Sequence, residues 1–151
     1  MAVAAGDTLP KFDLATSGEG RLKSSDLKGK RAVLYFYPKD DTTGCTLEAQ
    51  QFTKLLPEFA KRGVQVIGVS PDSERSHDRF AAKCSIPFPL VSDPDKSLCE
   101  AFGVWVEKSM YGRQYMGVER STFLAGADGR IEREWRKVKA NGHAAEVLAA
   151  L

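Results

Sequence analysis

Cysteine is scarce in this chain, with only Cys45, Cys84 and Cys99 among 151 residues. An odd number of thiols argues against the disulfide framework of a small secreted domain. The first ten residues carry neither a basic segment nor a sustained apolar run, so no secretory or transit peptide is expected and the cytoplasm is the expected compartment. No pair is spaced Cys-x-x-Cys, and only His77 and His143 can add imidazoles, which excludes the common zinc clusters and the thioredoxin-type dithiol motif. Nowhere do apolar residues approach the roughly 18 in a row that a membrane-crossing helix needs. The formal charge is only +2, and the charges are scattered, leaving no electrostatic footprint for nucleic acid or an anionic membrane. Repeats, linkers and low-complexity tracts are also missing. A length of 151 residues suits one domain spanning 1–151.

What the chain does contain is an alternation of strand and helix patterns. Phe12–Leu14 and Arg21–Lys23 flank the turn at Gly18-Glu19-Gly20 and predict an N-terminal hairpin. Ala32–Tyr37 and Val64–Ser70 are apolar and β-branched runs that predict buried strands. Between them Leu47, Phe52, Leu55 and Leu56 recur at helical spacing, and Pro57 predicts a kink or break near Leu56. Ser73 predicts the N-cap of a helix that ends at Cys84. A short strand over Phe88–Val91 and a helix over Lys96–Phe102 follow. Thr122–Ala125 and Ile131–Lys137, joined by Asp128-Gly129, form a late hairpin, and Asn141 or Gly142 opens a final helix containing Val147 and Leu148. Such an order makes an α/β protein with a mixed central sheet and helices on both faces.

Cys45 stands where the first buried strand gives way to the first long helix. A thiol in a helix's first turn meets unpaired backbone N–H groups and the positive end of the helix dipole, both of which favour the thiolate. The thiolate is the nucleophile, so Cys45 is placed for reaction. Gly44 lets the backbone approach closely. A cysteine–histidine hydrolase is disfavoured because neither His77 nor His143 lies in a recognisable catalytic context.

The words around Cys45 resemble the active-site signature of the peroxiredoxins, with Pro38, Thr42 and Cys45 spaced Pro-x-x-x-Thr-x-x-Cys. Tyr37-Pro-Lys-Asp-Asp-Thr42 is similar to the subgroup called bacterioferritin comigratory protein or peroxiredoxin Q. The likeness continues through Gly68–Asp72, Leu98–Trp105, Glu119–Leu124 and Asp128–Ile131. This resemblance implies a thioredoxin-like fold with an N-terminal hairpin extension. It also implies a monomeric thiol-dependent peroxidase that reduces hydrogen peroxide and organic hydroperoxides without haem, flavin or metal.

Reducing a hydroperoxide requires a thiolate to attack one oxygen of the O–O bond while the other departs, so fixed donors must meet developing charge. The resemblance assigns Cys45 as the peroxidatic thiol and Thr42 as a hydroxyl donor to sulfur or peroxide. On residue type alone, Thr42 reads as a turn or N-cap residue. Pro38 ends the strand, and the resemblance adds that it shields one side of the site. Arg120 would ordinarily be a surface charge at a strand start; its Arg-Ser-Thr-Phe-Leu context implies a guanidinium directed at the sulfur. Glu48 reads as an exposed helix residue unless it contacts that arginine, as the family implies.

The sulfenic acid that Cys45 forms can be trapped by a second thiol as a disulfide. Many subgroup members carry that thiol five residues after the first, where this chain has Gln50. Cys99 lies among apolar residues and reads as a small buried hydrophobe. Cys84, at a helix end before Ser85-Ile86-Pro87, sits where the subgroup places a distant resolving cysteine, although packing beneath its helix is a competing role. The implied reductant of such a disulfide is thioredoxin, ahead of glutaredoxin. A peroxide sensor or relay that passes oxidation from Cys45 to a partner shares the first step and is the rival function. Thr43 departs from the subgroup, which usually has proline there, and this implies a more flexible active loop.

Overall fold

The computed structural model describes residues 3–151; the part of the N-terminal leader reading that falls on Met1 and Ala2 lies outside them. Seven strands form one mixed sheet in the order β2-β1-β5-β4-β3-β8-β9. At its centre β3 (Arg31–Phe36) lies parallel to β4 (Val64–Ser70), which lies parallel to β5 (Leu90–Ser92). On the far side of β3, β8 (Ser121–Ala125) runs antiparallel and pairs in turn with β9 (Ile131–Trp135). The expected N-terminal hairpin is present as β1 (Asp13–Thr16) and β2 (Gly20–Lys23), attached through β1 to β5.

Both faces of the sheet are covered, and β3 shows why its sequence is almost wholly apolar. Ala32, Leu34 and Phe36 enter one core, while Val33, Tyr35 and Tyr37 enter the other. A strand buried on two faces has no polar side to display. One core is closed by the short helix α3 (Ser97–Ala101) through Leu98 and Cys99. The opposite core receives α1 (Thr43–Lys61), α2 (Glu74–Cys84) and α4 (His143–Ala149). Along α1 the buried face is Cys45, Ala49, Phe52 and Phe59, the i, i+4, i+7 recurrence of a helix laid on a sheet. Phe52 stacks on Tyr35 with ring centroids 4.6 Å apart, fixing the helix over β3.

Of the kink or break expected near Leu56, the break does not occur, since α1 is continuous from Thr43 to Lys61. Proline removes the hydrogen bond to the carbonyl of Thr53, four residues earlier. Pro57 is exposed, however, and Phe59 anchors the last turns in the core. The sequence reading also leaves out a second hairpin, β6 (Trp105–Met110) with β7 (Arg113–Val118), which forms its own two-stranded sheet. Its turn places Tyr111 at φ 54° and Gly112 at φ 77°, the two positive φ values of a primed hairpin turn. Tyrosine at the first of those positions is a poor signal for such a turn. Most of both strands is solvated, so no strict apolar alternation marks them.

Other boundaries shift by a few residues. The strand expected over Phe88–Val91 is Leu90–Ser92, and the helix expected over Lys96–Phe102 is Ser97–Ala101. The N-cap at Ser73 is as expected, its side chain accepting from the Ser76 N–H at 3.2 Å.

Because α1 carries its proline without a break, Pro57→Ala restores a helical hydrogen bond at little cost elsewhere. Proline costs about 3 kcal/mol relative to alanine in a helix interior, and its stiffening of the unfolded chain returns about 0.4–1 kcal/mol. Urea denaturation of Pro57→Ala is therefore expected to show a gain of about 2–2.6 kcal/mol; a loss of stability would contradict the continuous helix.

Candidate active site

The site forms at the carboxyl end of β3, where the loop through Pro38–Thr42 leads into α1. Thr46 N–H donates to the Thr42 carbonyl at 2.8 Å, closing the first helical turn around Cys45. The Cys45 side chain is packed into the core under α1, with the residue 1% exposed. Since β8 is antiparallel to β3 and pairs Ser121 with Phe36, the residue before β8 arrives beside the end of β3. That residue is Arg120. Its Nη2 donates to Cys45 Sγ at 3.4 Å, and its Nη1 donates to Glu48 Oε1 at 2.6 Å. Two nitrogens of one planar fork thus address a sulfur and a carboxylate that stand one turn apart on α1. A Cβ at Gly44 would lie 3.2 Å from Arg120 Nη2, so glycine there makes room for the guanidinium.

Glu48 is not the exposed helix residue its type suggests; it is 0% exposed. Burial raises its pKa from 4.5 to about 7, and Arg120 works against that rise. Its second oxygen accepts from no group among the described residues. Burial opposes the charge on Arg120 as well, but Glu48 and Cys45 more than offset this and raise its pKa. The guanidinium is therefore a fixed positive charge beside the sulfur.

A pocket of about 550 Å³ opens onto Arg120, walled by Pro38, Val106, Lys108, Tyr115 and Val138. Two walls come from the β6–β7 hairpin, including Lys108 and Tyr115, which the sequence reading did not place at the site. Burial lowers the pKa of Lys108, and Arg120 adds to the effect. A larger cavity, about 670 Å³, lies between Leu9, Phe12, Leu27 and Gly129; no cysteine or histidine lines it, and it is remote from the reactive thiol.

The other expected residues divide. Pro38 is half-buried at the pocket wall. Thr42 is exposed and its hydroxyl donates to the Lys39 carbonyl at 2.9 Å, so in this conformation it serves the turn and does not reach the sulfur. Cys84 ends α2, half-buried, and the following Ser85 is left-handed at φ 52°. Burial and then Asp41 raise the Cys84 pKa, with Lys83 opposing. Cys99 is fully buried on the opposite face of the sheet, and its pKa is strongly raised by burial and by Asp93. All three cysteines are free thiols.

Neither histidine contacts Cys45. His77 hydrogen-bonds Asp40 and the Val91 carbonyl, and His143 hydrogen-bonds Thr122 and Glu146. No cluster of metal-ligating side chains occurs among the described residues. No helix there is long and apolar enough to cross a membrane.

A cysteine at a helix start, backed by a buried Arg–Glu pair on a thioredoxin-like sheet, is the site of a thiol peroxidase. Comparison with known proteins agrees. The family model of the AhpC/TSA family matches residues 5–134. Peroxiredoxin Bcp of Xanthomonas campestris is 54% identical over 142 residues, covering 93% of this chain and 89% of that protein. Peroxiredoxin Bcp of Bacillus subtilis is 47% identical over 151 residues, covering 100% of this chain and 96% of that protein. A solved structure of the X. campestris bacterioferritin comigratory protein, studied for alkyl peroxide reduction, superimposes with a TM-score of 0.91 at 50% identity. That superposition covers 97% of this chain and 96% of the other. The chain belongs to the AhpC/TSA family, in its Bcp or peroxiredoxin Q branch.

Glu48 gives a stability signature. A carboxyl whose folded pKa lies above its unfolded value binds its proton more tightly in the native state, so stability falls as pH rises between the two values. The stability of the wild type relative to Glu48→Gln is expected to fall from pH 4.5 to about 7, by on the order of 2–3 kcal/mol. Denaturant titrations of both proteins across that range measure it. A difference that stays flat or rises with pH would show that Glu48 is not held in a desolvated site.

Proposed function

We propose that this thiol-dependent peroxidase reduces hydrogen peroxide and organic hydroperoxides with Cys45 as nucleophile and Cys84 as resolving thiol, and that thioredoxin recycles the disulfide. The observation that carries the reading is the Arg120 guanidinium spanning Cys45 Sγ and Glu48. Cys45 thiolate attacks the nearer peroxide oxygen; an S–O bond forms, the O–O bond breaks, and the departing oxygen takes a proton as water or an alcohol. A planar, permanently charged donor beside the sulfur stabilises both the attacking thiolate and charge growing on the peroxide. Backbone N–H groups at the start of α1 supply further donors. Thr42 joins them if its hydroxyl leaves the Lys39 carbonyl when peroxide enters. Pro38 closes the pocket on one side against water.

The product is a sulfenic acid on Cys45. The Cys84 thiolate then attacks that sulfur, forming the S–S bond and expelling hydroxide, so sulfenic acid and thiol become disulfide and water. Cys84 is suited to this second step because it lies at the frayable end of α2, beside a left-handed residue. Cys99 is unsuited, being enclosed in the opposite core. The resulting disulfide needs a dithiol donor, for which a thioredoxin of the cytoplasm is proposed, acting on a monomer.

The test is turnover coupled to NADPH oxidation with thioredoxin and its reductase, followed by disulfide mapping after one equivalent of peroxide. Cys45→Ser is expected to remove turnover while leaving the fold intact, because serine is nearly isosteric but not ionised at neutral pH. Mass mapping is expected to find Cys45 joined to Cys84 with Cys99 reduced. A Cys45–Cys99 bond, or a Cys45–Cys45 dimer as the main product, would overturn the assignment of Cys84; oxidation without turnover would favour a sensor.

A further inference from the structure

Next to the Cys45 loop lies a buried polar cluster that peroxide attack does not use. Asp40 is 7% exposed. Its carboxylate accepts from Tyr37 Oη at 2.6 Å, from Ser76 Oγ at 2.8 Å and from His77 Nδ1 at 2.7 Å. The Asp40 N–H donates to Asp72 Oδ2 at 2.6 Å. His77 is 0% exposed, and its Nε2 donates to the Val91 carbonyl at 2.9 Å. A carbonyl only accepts, so Nε2 bears a hydrogen, and a hydrogen bond also joins Nδ1 to Asp40 Oδ2. His77 therefore clamps two acceptors at once, one in the Cys45 loop and one on β5.

The cluster's place in the chain gives it a second meaning. Asp40 lies in the loop that delivers Cys45. His77 lies two helical turns before Cys84 on the same face of α2. The beginning of α2 is thus tied to the loop by buried hydrogen bonds from Ser76 and His77. Its end is tied to the same loop only by Lys83 to Asp41 at 3.0 Å, with side chains 66% and 51% exposed. Exposed ion pairs of that kind hold weakly, and the helix then stops at left-handed Ser85. One end of α2 is fastened to the Cys45 loop by buried hydrogen bonds, and the other is held by an exposed ion pair and by the Ser85 and Ile86 N–H groups capping the Ala81 carbonyl.

We propose that His77 is a positioning residue for disulfide formation: it holds the first turns of α2 against the Cys45 loop, so that unwinding of the last turn brings Cys84 to the Cys45 sulfenic acid. This rests on the reading of Cys84 as the resolving thiol. A tether close to the moving turn keeps the reacting groups at high effective concentration. Without it α2 loosens as a whole, closure slows, and the waiting sulfenic acid meets a second peroxide and becomes sulfinic acid. The first step is spared, because Asp40 keeps its bonds to Tyr37 and Asp72, neither of which lies on α2, and the loop stays in place.

The experiment mixes reduced protein rapidly with peroxide and follows both steps by acid quench and mass spectrometry. His77→Leu is expected to slow disulfide closure by at least about tenfold. It should raise the sulfinic acid yield in step, while sulfenic acid forms within about threefold of the wild-type rate. His77→Gln, which keeps a donor for one of the two acceptors, should recover part of the closure rate, and it decides the matter if the leucine variant does not fold. Val147→Ala, which opens the core under α4 away from α2, serves as the control for lost stability. Closure at the wild-type rate in the His77 variants, or slowed no more than in Val147→Ala, would overturn the proposal. Cys84→Ser in the same experiment separates the two levels. If it stalls as sulfenic acid while the His77 variants close normally, only the role of His77 fails. Should it close a disulfide as fast as the wild type, the assignment of Cys84 fails and that of His77 with it.

Discussion

The guanidinium of Arg120, shared between a buried carboxylate and a buried sulfur, is the interaction around which the site is arranged. Removing three charged or chargeable groups from water is costly, and a buried ion pair by itself is weak evidence of stability. The cost is tolerated because the geometry is tight: 2.6 Å to Glu48 on one nitrogen and 3.4 Å to Cys45 on the other. Glu48 orients the fork, and on the proposed mechanism the fork fixes a positive charge where the reaction develops negative charge. Donors held in place before the reaction need no reorganisation during it.

Topology supplies that geometry. Cys45 and Glu48 come from a helix that begins at the carboxyl end of β3, and Arg120 precedes a neighbouring antiparallel strand. The pairing of Phe36 with Ser121 brings the two together. Distant parts of the chain thus meet through sheet register, and a one-residue slip would turn every β8 side chain to the other face. The β6–β7 hairpin is built differently. It stands outside the main sheet, contributes Lys108 and Tyr115 to the pocket wall, and leaves Met110, Tyr111 and Met116 exposed. The proposed catalytic centre is held by the main sheet, whereas much of the pocket wall beside it is held by a hairpin.

Much of this was legible in the sequence. The apolar run of β3, the helix after it and the position of Cys45 between them follow from periodicity alone, and the motif around Cys45 pointed to the peroxidase chemistry. Arg120 and Glu48 were legible only through family likeness, because nothing in the spacing of residues 48 and 120 announces that sheet pairing joins them. Pro57 misled because propensity treats proline as a break, whereas tertiary packing of Phe59 carries the helix through. Solvated strands and a Tyr-Gly turn hid β6–β7. Nothing in the sequence marks Asp40 and His77 as partners; only the fold shows that both are buried and paired. Thr42 shows the converse, since its motif position implies a donor to sulfur while the observed hydroxyl serves the turn.

On the proposed mechanism Arg120 acts on the reacting peroxide as well as on the sulfur. The direct measurement compares two reactions of the same thiol, with hydrogen peroxide and with iodoacetamide, in the wild type and in Arg120→Ala, each followed by mass spectrometry of the Cys45 peptide. Loss of charge-assisted contacts worth about 1.5–3 kcal/mol each should lower the peroxide rate by about a hundredfold or more. Alkylation needs only the thiolate and should fall by no more than about tenfold. Equal falls in both rates would show that Arg120 only sets the charge on sulfur, and an undiminished peroxide rate would remove it from the mechanism.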